Sequence, residues 1–184
     1  MKFATTALER VAIVVASIAL SFGLIAVLSG YFAGRDQAGV ATGQTGPGIA
    51  YPDLGDAHLA PGQKRPEYDS TPPTSGAHVP QPVTRDETTL TDDQLLQALE
   101  EGNVVIMYGT KTPPPGLRAL ALSLAPPFTP ALAAAGQAVI LARRPGTDGL
   151  VGLAWSHAVS VRTPQDPRLA AFAQFWLGRG APGR

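Results

Sequence analysis

Three histidines occur in this chain of 184 residues, and two of them stand where a ligand site could form. His78 closes the stretch Tyr68-Asp-Ser-Thr-Pro-Pro-Thr-Ser-Gly-Ala-His78. Pro72 and Pro73 each fix φ near about −65° and hold the backbone extended. Thr74, Ser75 and Gly76 then permit a tight turn, because glycine takes positive φ at no steric cost. The turn presents the His78 imidazole. His58 lies upstream in Leu54-Gly-Asp-Ala-His58. Downstream, Gln97 and Glu101 are four residues apart and share one helix face, nearly opposite Leu95 and Leu99. Two imidazoles and a carboxylate are a donor set for zinc or copper. The metal candidates are therefore His58, His78 and Glu101. Ser75 and Gln97 complete a polar cluster around them. The other reading of these residues is a hydrogen-bonded cluster that ties the proline arm to the helix. His157 is expected on one strand face with Leu153, Trp155 and Val159. There it would be a satisfied core residue, or a third imidazole for the cluster.

Other chemistry has weaker support. Ser75 beside His78 lacks the G-x-S-x-G elbow and an orienting acid, so turn stabilisation is the expected role of its hydroxyl. Glu100 and Glu101 are adjacent on a helix and point about 100° apart, which suits a solvated pair better than joint acid–base work. The chain has no cysteine, which removes disulfides, thiolate ligands and a cysteine nucleophile. Its formal net charge is zero and it carries no nucleic-acid-reading motif, so no nucleic-acid partner is expected. It also has no phosphate loop, dinucleotide fingerprint or EF-hand loop. Tyr68, Phe128 and Trp155 could line a groove, although such aromatics commonly fill a core.

The elements that must position these residues can be read in order. Residues 1–10 form a tail expected to be cytoplasmic. Val11 to Phe32 is almost wholly apolar, and at 1.5 Å per residue would cover about 33 Å, the span of a hydrocarbon core. A single transmembrane helix is expected over 11–32. The charges flanking it, Lys2 and Arg10 against Arg35, place the N-terminus inside and the rest of the chain outside the cell membrane. Residues 33–50 are a Gly-rich linker, and 51–184 the extracytoplasmic domain, with a proline-rich arm over 51–90 lying extended on its surface. Thr91-Asp-Asp-Gln94 has capping-box spacing, so a helix is predicted over 91–101, ending at Gly102. Val104 to Tyr108 reads as a buried strand and Leu117 to Ala125 as a short helix. Gln137 to Ala142 and Leu150 to Val161 are predicted to form a hairpin across Arg143 to Gly149. Asp166 and Pro167 open a last helix that Gly178 ends. The order α-β-α-β-β-α predicts an α+β fold with a small mixed sheet, comparable to a thioredoxin-like arrangement.

The segments Leu54 to His58, Tyr68 to His78, Leu96-Gln-Ala-Leu-Glu-Glu-Gly102, the VVIMY strand and Ala154-Trp155 resemble a bacterial family catalogued as domain of unknown function 3105. The resemblance covers residues 51–182. It implies a domain tethered by one N-terminal helix, and it brings no established activity with it. Where the family is expected to read H-x-L-E-H-G, this chain has Gln97 and Glu101 in place of two histidines. That departure weakens any carry-over of histidine chemistry.

The function expected from these features is non-catalytic. The domain would bind a partner such as another membrane protein, as an accessory subunit beside the lipid bilayer. The alternative is an extracytoplasmic zinc or copper binding module.

Overall fold

The structure is a computed structural model and describes residues 46–182. These residues fall within one of the two units into which the chain divides, Gly39–Arg184. Five strands form one sheet: β1 (Ile49–Ala50), β2 (Val104–Tyr108), β3 (Val139–Arg143), β4 (Leu150–Ala154) and β5 (His157–Val161). Among the described residues four helices accompany them: α1 (Asp92–Glu101), α2 (Leu117–Leu124), α3 (Pro130–Ala134) and α4 (Pro167–Trp176). The strand order is β1-β5-β4-β2-β3. Only β2 and β3 run parallel, and the other pairings are antiparallel.

The expected membrane span over 11–32 lies outside the described residues. Among the described residues, no helix is long and apolar enough to cross a membrane. The longest, α1 and α4, have ten residues each. That is about 15 Å of helix, half a hydrocarbon core. The expected architecture of a transmembrane helix followed by a domain, and the single-pass membrane description, are corrected accordingly. The fold described is the mixed-sheet α+β domain alone.

Local sequence explains most of the elements. Thr91 caps α1 with a complete capping box: its hydroxyl accepts from the Gln94 N–H and the Gln94 side chain accepts from the Thr91 N–H. Gly102 ends the helix in the left-handed conformation at φ 105°. β2 is a continuous apolar run because both its faces are covered. Val105 and Met107 join the core layer under α1, with Leu95, Leu99 and Leu153. Val104, Ile106 and Tyr108 join the opposite layer, with Leu117 of α2 and Phe172 and Trp176 of α4.

Three expectations are corrected, two about the strands and one about the proline arm. Gln137 to Ala142 and Leu150 to Val161 do not form a hairpin. β3 pairs with β2 in parallel, reached through α2 and α3, and the segment after β3 crosses to the other edge of β2 to start β4. The run Leu150 to Val161 is itself the hairpin, β4 turning into β5 at Trp155-Ser156, where Ser156 takes φ 57°. That turn also separates the residues expected on one face: Leu153 and Trp155 lie in the layer under α1, whereas Val159 lies in the layer under α4. Finally, the proline arm is only partly superficial. Pro73 to Gly76 and His78 are buried, so the arm threads over α1 as part of the domain.

Candidate metal centre

The arm and α1 build one polar site. Ser75 holds the arm together: its hydroxyl accepts from the Leu54 N–H at 3.0 Å and donates to the Pro52 carbonyl at 3.1 Å. Tyr68 braces the turn by donating to the Ala77 carbonyl, and its ring lies 3.0 Å from where a Cβ at Gly76 would stand. Gly76 itself has φ 126°, so glycine is required there by both space and backbone. Beyond the turn, segments 57–59 and 78 pair as a parallel bridge. The His78 N–H donates to the Ala57 carbonyl and the Leu59 N–H to the His78 carbonyl. This bridge sets His58 and His78 side by side, with ring centroids 5.4 Å apart.

The carboxylate that meets them is Glu100, where Glu101 was expected. Glu100 is fully buried, and its Oε2 lies 3.0 Å from His58 Nε2 and 3.1 Å from His78 Nε2. Helix α1 has two buried faces. Leu95 and Leu99 look into the sheet, and the arm covers the other side. On that second face Asp93 and Glu100 are seven residues apart, two turns, and so in line. Asp93 accepts from the Val79 N–H at 3.0 Å and pairs with Arg65, which fastens the arm one residue past His78. Glu100 is the next acid along that line. Glu101 is turned aside and accepts from the Gln97 amide at 3.0 Å. The view of Glu100 and Glu101 as a solvated pair is corrected for Glu100.

The protonation pattern of His78 decides what the site can do. Its Nδ1 lies 3.0 Å from the Gly76 carbonyl, an acceptor only, so Nδ1 carries the proton and donates. Its Nε2 is therefore the ring atom left to face Glu100, as a lone pair or as a second N–H. That nitrogen is buried and lies 3.1 Å from a carboxylate oxygen of Glu100, itself buried. Two electron-rich atoms held this close require a cation between them, either a proton or a metal ion. A backbone carbonyl on the far nitrogen is also the usual support of a metal-binding imidazole. The donor atoms of His58, His78 and Glu100 all lie within 4.8 Å of one another. Tetrahedral zinc with bonds of about 2.0 Å would place its donors about 3.3 Å apart, close to the two imidazole–carboxylate distances seen here.

His157 is not part of this centre. Its Nδ1 lies 3.0 Å from the Trp155 carbonyl, and its ring packs on Trp176 at 3.9 Å between centroids, in the layer under α4. Ser75 is committed to backbone partners on both sides, as a turn-stabilising hydroxyl.

A family model matches residues 60–183. The chain belongs to DUF3105, described as proteins of unknown function. The DUF3105 match takes in His78 and Glu100 and begins two residues after His58. No curated protein and no solved structure matches the chain, so the thioredoxin-like comparison has no matched structure behind it.

Proposed function

We propose that this domain binds a divalent transition-metal ion, zinc or copper(II), through His58 Nε2, His78 Nε2 and a Glu100 oxygen. One observation carries the reading: the buried His78 Nε2 faces the buried Glu100 carboxylate at 3.1 Å, with His58 Nε2 on the same oxygen at 3.0 Å. The donors are imidazole and carboxylate with no sulfur among them, which favours zinc or copper(II) over copper(I). Neutral imidazoles and one carboxylate offset a single charge of the ion, and the backbone bridge holds both histidines in place before the ion arrives. The metal reading is preferred to a partner-binding role because it has a built site with named donors.

The test is zinc and copper uptake by the full chain, beside the His58→Ala/His78→Ala double variant. The wild type is expected to take up one equivalent and to melt at higher temperature. The stabilisation would be about 2.7 kcal/mol when free metal is a hundredfold above Kd. Absence of uptake, or uptake that the double variant retains, would refute the assignment and leave a proton as the cation shared by Glu100 and His78.

A further inference from the structure

Resting on that reading, we infer that the ion keeps a fourth coordination position open to solvent, filled by water or hydroxide and exchangeable for a small monoanion. Gln97 is the residue that would position this ligand.

Among the described residues three donors meet here, and the neighbouring acids and the third imidazole are engaged elsewhere. Asp93 is held by Val79 and Arg65, Glu101 by Gln97, and His157 lies in the other core layer. Among the described residues, the cluster of acidic and imidazole donors at this point contains His58, His78 and Glu100 alone. Access to the site is one-sided. The side chains of His78 and Glu100 are fully buried, whereas that of His58 is 39% exposed, so the free position lies on the side where His58 meets solvent. Charge points to the same kind of ligand. A divalent ion with one carboxylate retains a single positive charge in a partly buried setting, which is costly without a counterion. A monoanion brings the site to neutrality.

A second atom asks for a protic ligand. Gln97 is only 6% exposed, and its amide nitrogen donates to Glu101, which leaves its Oε1 buried without a hydrogen-bond donor. An unmatched buried carbonyl oxygen is costly. Gln97 precedes Glu100 by three residues, so their Cβ atoms are neighbours at about 5–6 Å on the helix surface. A coordinated water or hydroxide has an O–H to give that oxygen. A metal with three protein ligands and one exchangeable oxygen ligand is the arrangement of Lewis-acidic zinc sites, in contrast to closed structural ones.

The full chain loaded with cobalt(II), which reports its coordination by visible absorption, tests this with azide as the probe anion. Saturable spectral change on adding azide is expected. Azide has no proton for Gln97, so Gln97→Leu, once saturated with cobalt, should bind azide at least threefold more tightly than the wild type. If cobalt binds through His58 and His78 but its spectrum ignores azide, the site is closed and this inference fails while the metal site stands. If cobalt does not bind, both fail. If Gln97→Leu binds azide as the wild type does, Gln97 has no part in positioning the ligand.

Discussion

Glu100 is fully buried, and the imidazoles around it give that carboxylate its reason to be there. The two adjacent acids should therefore separate cleanly on mutation. Glu100→Gln is expected to abolish the metal-dependent rise in melting temperature, whereas Glu101→Gln should retain it; calorimetry with and without zinc checks both. Without metal, His78→Ala should cost roughly 1–3 kcal/mol, because the Gly76 carbonyl and Glu100 both lose a partner. A urea melt of the apo variant measures it. At this scale the sequence was informative about the imidazoles and misleading about the acid. His78 follows a turn whose glycine and prolines advertise it. Glu100 carried a quieter sign, its two-turn register with Asp93. That register has meaning only once an arm covers a second face of α1, and periodicity of apolar residues reports just the face that meets the sheet.

The elements around α1 hold it more tightly than its ten residues suggest. The C-terminal segment returns across its end: Gly178 N–H donates to the Gly102 carbonyl and Ala181 N–H to the Glu100 carbonyl. A Cβ on Gly180 would stand 2.0 Å from the Glu100 carbonyl oxygen. Gly180→Ala should therefore destabilise the domain by about 1–3 kcal/mol through overpacking, and loosen metal binding by moving the ligand helix. Thermal melts and a zinc titration of that variant read the two effects. At the far edge of the sheet, residues 86–88 cover β3, where the Asp86 carboxylate accepts from the Leu141 N–H at 2.7 Å. Burial raises the Asp86 pKa above its ordinary value, partly opposed by its backbone hydrogen bonds. A raised folded-state pKa means that the protonated form is favoured by folding. That contribution is present below the unfolded pKa and lost as pH rises through the folded one. Asp86→Asn keeps an acceptor for Leu141, so it should flatten this dependence and leave stability at neutral pH equal or higher by about 1 kcal/mol or less. Urea midpoints at pH 4 and pH 7 would show it, and a clear loss of stability at pH 7 would contradict it. Elements with local signals were legible here: the capping box of α1, the apolar run of β2, and Asp166-Pro167 at the start of α4. Thr129 and Pro130 open α3 with the same cap-then-proline signal, which the surrounding prolines concealed.

Across the whole molecule, pairing was harder to read than element type. β3 and β4 are separated by turn residues that suit a hairpin, yet both pair with β2, because that strand is buried on both faces and needs a neighbour on each edge. The choice is made by the core, at long range, and leaves no local mark. The bridge between residues 58 and 78 is a similar long-range product, and it has a consequence for a chain without cysteine. His58 and Glu100 are 42 residues apart. An ion joining them would act as a removable cross-link, closing a loop that in a disulfide of that length would be worth about 4 kcal/mol of unfolded-state entropy. Proteolysis of the arm should accordingly slow when zinc is added and recover when a chelator removes it, so the durability of the domain would follow the supply of metal around it.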